Sequence, residues 1–337
     1  MIRRFSALAA LAVLAGSANA QDSKFDLSQA DGQIFSDIRE GKKLVKSPNA
    51  AEAKKNEEVI RKKAQVEIAR FLRAAETSNG TGAGGVESVP DYIRSFTLGT
   101  LVDPQNPVRV LKEGQVDLAR ILGDEMLKQL KPLIGSKEKP SGADMVVKLN
   151  SVRLISIIAR SGYDGAGNAA VEIINDPQHH DAIKLYALEA LNNLFSVPNP
   201  DRADRSMFLN PDDELRAVTT VIGFIARKPA IAPNTPREEI DAYKFVRREA
   251  VRALGKVRKP AYREGTSGVV AANPAVWLLR VAAADKTLVP PPSLNERVEG
   301  LAGYLGLMPD KEQNMDFAAG FVALTIKDLT LDYKERK

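Results

Sequence analysis

The chain has two histidines, His179 and His180, and they stand together in "DPQHHDAIKLYALEALNNLF", residues 176–195, between Asp176 and Asp181. Imidazole beside carboxylate is the material of a metal site or an acid–base pair, because imidazole titrates near neutral pH and both groups ligate divalent ions. The spacing argues against either use. If Asp176 caps a helix and Pro177 is its first residue, the histidines occupy the third and fourth helical positions, and adjacent helical residues point about 100° apart. Two ligands that share one ion on a helix stand three or four residues apart. Asp176 is then engaged as the cap, and the helix dipole disfavours imidazolium at an N-terminus. The competing reading is an exposed turn that introduces a structural helix.

Other chemistry is scarce. With no cysteine there is no thiolate nucleophile, disulfide or thiolate metal site. No G-x-S-x-G, H-E-x-x-H or Walker loop occurs. Gly80-x-Gly82-x-x-Gly85 has the form of a dinucleotide fingerprint. That motif needs a strand before it and a helix directly after. Here a polar helical stretch precedes and Val89-Pro90 follows, so the segment reads as a flexible connector. The expectation is a non-enzymatic protein with no catalytic residue, metal or cofactor.

The elements that would position any site begin after a leader. Residues 1–20, MIRRFSALAALAVLAGSANA, run from arginines through a short apolar stretch to Ala-x-Ala, the order of a secretory signal peptide cleaved after Ala20. The apolar stretch is too short for a resident span of about 20 residues. The expected location is the periplasm or the exterior of a bacterial cell, without transmembrane anchoring. Loss of two arginines takes the net charge from +5 to +3, which gives no reason to expect nucleic acid as a partner. A chain of this length can be held by its core without disulfides.

Residues 21–77 read as a polar N-terminal segment with a long charged helix opening at Ser47-Pro48, separate from the rest of the chain, and 78–90 as a Gly-rich linker. From 91 to 328 apolar residues recur at three- and four-residue spacing without sustained alternation, so the fold class is all-α. Helix starts are expected at Ser141-x-x-Asp144, Asp176-Pro177, Asn210-Pro211, Thr235-Pro236, Asn273-Pro274 and Ser293-x-x-Glu296. They imply four pairs: 108–133 with 141–160, 167–175 with 177–195, 212–228 with 236–258, and 273–286 with 293–308. Trp277, Phe317 and Phe321 read as core anchors, and 329–337 as a polar tail.

One template recurs on three of these helices. Val147-Lys148-x-x-Ser151-x3-Ile155, Ile183-Lys184-x-x-Ala187-x3-Leu191 and Val246-Arg247-x-x-Ala250-x3-Leu254 each place an aliphatic residue before a base, a small residue one turn later and an aliphatic residue beyond. The small residue admits a neighbouring helix and the aliphatics fill its grooves. "FVRREAVRALGKV", residues 245–257, resembles the second helix of a HEAT repeat, and "DAIKLYALEALNNLF" is similar to it. Asp241, six residues before Arg247, stands where that family has an inter-repeat Asp and Arg ladder; Gly142 and Gln178 occupy the position in the other copies. The resemblance implies a right-handed α-solenoid whose second helices line a concave face, a fold used mainly to bind proteins or peptides.

The best-matched helix also carries Lys244, Arg248, Arg252 and Lys256 at four-residue spacing, with Lys259 following. Residues 244–263 hold eight bases and one acid, enough to attract an acidic partner. The leading expectation is therefore an exported scaffold of the cell envelope that binds an unidentified protein or peptide, acidic ones included, through its solenoid surface. The alternatives are a binder of an acidic polymer and an envelope enzyme using a solenoid groove. A plain solvated helix face would also explain the basic row.

Overall fold

The computed structural model describes residues 27–76, 88–101, 112–135, 142–197, 199, 206–232, 234–263, 269–308 and 315–335. The leader, the glycines at 80–85, the Ser141 cap and the Phe317 side chain lie outside the described residues. The described chain is mostly helical: α1 (Gln29–Arg39), α2 (Ala50–Glu76), α3 (Val89–Gly99), α4 (Glu113–Ile134), α5 (Gly142–Ala159), α6 (Asp164–Asn175), α7 (Asp181–Ser196), α8 (Pro211–Ala226), α9 (Arg237–Leu254), α10 (Pro274–Ala282), α11 (Leu294–Leu305) and α12 (Met315–Glu335). A two-stranded antiparallel pair, β1 (Tyr262–Arg263) and β2 (Val270–Ala272), sits between α9 and α10.

Local chemistry accounts for several starts. Asn210 Oδ1 accepts from Asp212 N with Pro211 as the first residue of α8, and Asn273 Oδ1 accepts from Val276 N at the start of α10. At α11 the Ser293 hydroxyl accepts from Glu296 N while Glu296 accepts from Ser293 N, a complete capping box. Several boundaries differ from the sequence reading, three of them here and the start of α7 below. Thr235 does not cap α9; its hydroxyl accepts from Ala232 N and folds the preceding loop back, leaving Pro236 at the cap position. Ser88 caps α3, so helix begins inside the segment read as linker. Helix α12 continues through Glu335 with Leu329 buried, where a polar tail was expected.

Each helical pair packs on itself: α4 on α5, α6 on α7, α8 on α9 and α10 on α11. The first members also touch in series, α4 with α6, α6 with α8 and α8 with both β2 and α10. The second members do the same, α5 with α7, α7 with α9 and α9 with α11, and α12 lies on α11. Small residues permit the approach. A Cβ on Gly303 of α11 would stand 2.8 Å from the Cα of Gly255 at the end of α9, so the two backbones meet there with no side chain between them. Ser151, Ala187 and Ala250 of the recurrent template are all fully buried, as are Ile155, Leu191 and Leu254.

The N-terminal helices are not separate. Helix α2 packs on α3, α4 and α5, and α1 packs on α2 and α4. One apolar core runs without a break from Phe35 to Leu307. Polar links reinforce the junction: Arg39 Nη1 donates to the carbonyls of Leu98 and Gly99, Gln115 Nε2 donates to Arg39 O, and the buried Glu67 of α2 accepts from Thr100 Oγ1. The periodic face of α2, with Ile60, Ala64, Ile68 and Phe71 buried, demanded such a partner, since an isolated helix has nowhere to hide it.

Candidate functional site

The basic row on α9 is divided by its partners. Arg252 is committed within the fold: its Nε and Nη2 stand 2.7 and 2.6 Å from Glu299 Oε1 on α11, and its Nη1 stands 3.5 Å from Glu249. Lys244, Arg248, Lys256 and Lys259 make no ion pair with any described residue. Arg248 lies over the ring of Phe245 at 5.1 Å, and Phe245 is 51% exposed. Lys259 lies over Tyr262 at 5.5 Å. Burial is graded along the row: Lys256 is exposed, whereas Lys244, Arg248, Arg252 and Lys259 are partly covered. An exposed aromatic ring with a guanidinium on its face offers a partner both apolar area and positive charge.

Arg252 belongs to a larger polar row that crosses the second members of the pairs. Arg160, directly after α5, stands 3.6 Å from Glu189 of α7. Asn192 of α7 donates to Glu249 of α9 at 3.0 Å, and Arg252 joins Glu249 to Glu299 of α11. Burial pushes the Glu189 carboxyl above its ordinary value against the pull of Arg160, and the Glu249 charge adds to the rise. The sequence reading of single helices missed this row. Two of its members share a template position, the sixth residue after the aliphatic, where Glu189 on α7 and Arg252 on α9 carry opposite charges.

The template's base proves to be a buried cation in every copy. Lys148 is 4% exposed, Lys184 5% and Arg247 0%. Arg247 Nε donates to the equally buried Glu296 at 2.6 Å, and its guanidinium lies over Tyr243 at 5.4 Å. Asp241 takes no part in an inter-repeat ladder with it. Six helical residues turn the chain through about 240°, so Asp241 faces solvent, 3.7 Å from Arg237, while Arg247 faces the core. The acid–base links between successive pairs come instead from Arg247 with Glu296 and from Arg227 with Asp181, the latter closed by two bonds of 3.0 and 2.6 Å. Tyr243 ties the two together, donating to Arg227 O at 2.8 Å.

The histidine segment has a different local structure from the one its spacing suggests. Asp176 ends α6, its Oδ1 accepts from Gln178 N, and His179 N donates to its carbonyl, so residues 176–180 form a turn. Helix α7 begins at Asp181, and the imidazole Nδ1 of His180 is the cap acceptor for Ala182 N. The chain uses those five residues to reverse between α6 and α7; a helix starting at Pro177 would leave Asp176 alone to do it. His179 is mostly covered, and its Nε2 stands 3.6 Å from Asp176. Burial holds its imidazole below the ordinary value despite Asp176, with Lys148 and Lys184 adding to the depression. Among the described residues no group of three or more His, Asp or Glu side chains could hold a metal ion.

Trp277 packs partly buried against the core with Arg280 over its ring at 4.1 Å. No helix among the described residues is long and apolar enough to cross a membrane. Comparisons with protein-family models, with curated proteins and with solved structures found no match to the chain.

Proposed function

We propose that this chain is an exported scaffold of the cell envelope without catalytic activity, that its pairs form a right-handed α-solenoid of HEAT type, and that the face formed by α5, α7, α9 and α11 holds a protein or peptide partner. The observation that carries the proposal is the α9 surface, where Phe245 is exposed beside the uncompensated charges of Lys244, Arg248 and Lys256. Exposed aromatic residues with neighbouring arginine are typical anchors of protein interfaces. The helical pairs in series support the solenoid, and the order of residues 1–20 supports export. Arg252 is removed from the docking set, because Glu249 and Glu299 already neutralise it.

The test is a photo-reactive phenylalanine analogue at position 245, illuminated in the intact envelope. The expected result is one discrete crosslinked species that disappears when Lys244 and Arg248 are both changed to Glu and persists when the remote Lys62 is changed to Glu. Crosslinks only to itself, or a product indifferent to the α9 charges, would overturn the proposal.

A further inference from the structure

Helix α12 ends the series, and its inner side is held by α11. Ala318, Thr325 and Leu329 are buried, Leu329 clusters with Ala282 and Leu301, and Asp332 stands 2.7 Å from Arg297 of α11. At about 100° per residue the three buried positions fall within about 40° of one another. The side directly away from them carries Asp316, Gly320, Ala323, Lys327, Leu331 and Lys334, which fall within about 80° of one another and are all exposed. Between Asp316 and Lys334 the one charge on that face is Lys327. Leu324 and Ile326 flank it on either side, 63% and 49% exposed, and Leu331 is 49% exposed. In a stack of helical pairs the terminal helix is normally polar on its outward side, and a helix that is apolar on both sides is normally covered on both.

The residues of this face complement the same residues taken in reverse order. Its first half is small, with Gly320 and Ala323, and its second half is long, with Lys327 and Leu331. It is negative at the first turn, Asp316, and positive at the last, Lys334, and neither forms an ion pair with any described residue. Two antiparallel copies with Asp316 opposite Lys334 place Ala323 opposite Lys327, and Gly320 within one residue of the position opposite Leu331. A Cβ on Gly320 meets nothing within 4 Å in the single chain, so the notch that receives Leu331 is open. The stem of Lys327 covers Ala323 while its ammonium reaches the rim, and opposed helix dipoles add to the attraction of the end charges. A parallel pair would instead set Asp316 against Asp316, Lys334 against Lys334 and Leu331 against Leu331. We infer that α12 is the interface of a homodimer, its two copies antiparallel about a two-fold axis at the level of Thr325. Leu324 and Ile326, one residue to either side of that level, then meet their own counterparts and complete the apolar contact. A membrane surface fits less well, because interfacial helices are rich in Lys and Arg, whereas residues 315–335 hold two lysines and four acids. A face about 30 Å long and about 10 Å wide is at the small end of specific interfaces, so a reversible dimer in the micromolar range is expected. This interface does not depend on the α9 face.

The test is sedimentation velocity of the purified exported chain at low ionic strength, from about 1 to about 100 µM. The expected result is a reversible monomer–dimer transition within that range. Asp316→Lys and Lys334→Asp each set like charges together at two symmetric places and should weaken the dimer about tenfold, and the two changes combined should restore it. Leu331→Asp should abolish it, and Phe245→Ser should leave it intact. These positions are exposed, so circular dichroism should show an unchanged fold. Because the chain has no cysteine, the register is open to crosslinking: Ala323→Cys chains mixed with Lys327→Cys chains should give more disulfide-linked dimer than either variant alone. The inference is overturned if the chain stays monomeric throughout, whether or not it binds phosphatidylglycerol vesicles. It is equally overturned if the combined charge exchange is no better than the single ones, if mixing adds no crosslink, if Phe245→Ser abolishes the dimer, or if a folded Leu331→Asp chain still dimerises.

Discussion

The ion pair between Arg247 and Glu296 should be the most asymmetric point in the structure. Both side chains are fully buried and meet at 2.6 Å, joining α9 to α11 across two helical pairs. Arg247 Nη1 and Nη2 have no hydrogen-bond partner among the described residues, so Glu296 is the one acceptor there for a buried guanidinium. Glu296 is better supplied, because Ser293 N and Oγ also donate to it at 2.6 and 2.8 Å. Glu296→Ala therefore strands the cation, at about 3–5 kcal/mol, and opens the capping box of α11, at about 1 kcal/mol more. Arg247→Met leaves a carboxylate that still has two donors, and its cost should be roughly half as large. Glu296→Gln keeps the capping pattern and should recover about 1 kcal/mol relative to alanine. With total stabilities of about 5–15 kcal/mol, these differences are large enough to measure. Urea unfolding followed by the fluorescence of the chain's single tryptophan, Trp277 on α10 beside α11, gives the three values. Equal costs for Glu296→Ala and Arg247→Met, or a cost below about 1 kcal/mol for Glu296→Ala, would refute the assignment of a dry pair whose carboxylate has the larger duty.

Glycine substitutions should separate contact from exposure: Gly303→Ala forces α9 and α11 apart and should cost about 1–3 kcal/mol, whereas Gly320→Ala on α12, with nothing within 4 Å, should stabilise by up to about 1 kcal/mol, both read from urea midpoints. Lys184→Met should raise stability at neutral pH. Because the folded-state value of Lys184 is depressed, the unfolded chain binds more protons between that value and about 10.4, so the wild type gains stability as pH rises through the window and the variant's advantage should shrink. His179 follows the same sign at lower pH. Its folded-state value lies below about 6.5, so stability should fall as pH drops from that point through the folded value, and His179→Gln should flatten this slope in a series of urea titrations.

The helical pairs were legible because their signals are local. Asn210-Pro211, Asn273-Pro274 and Ser293-x-x-Glu296 each carry within four residues the acceptor that satisfies the first free N–H groups, and the structure uses all three. Asp176-Pro177 has the same local form yet serves a turn, because whether an Asp caps the next helix or closes the previous one depends on how many residues the reversal requires. The place of α2 was illegible for a related reason: its apolar stripe shows that it must be covered, and only the tertiary structure shows that α4 covers it. The template's base extends the lesson to the candidate sites. Local pattern puts a cation one residue after the aliphatic at 148, 184 and 247, and a helix face that buries its neighbours buries that cation too. What compensates each charge is not local. For Arg247 it is a carboxylate 49 residues further on, presented by the next pair. For Lys184 the next pair presents Arg227, a second cation whose own carboxylate is fully engaged. The same sequence position thus produces a structural clamp in one pair and, in another, an ammonium with no hydrogen-bonded acid among the described residues, which lines a groove along α8.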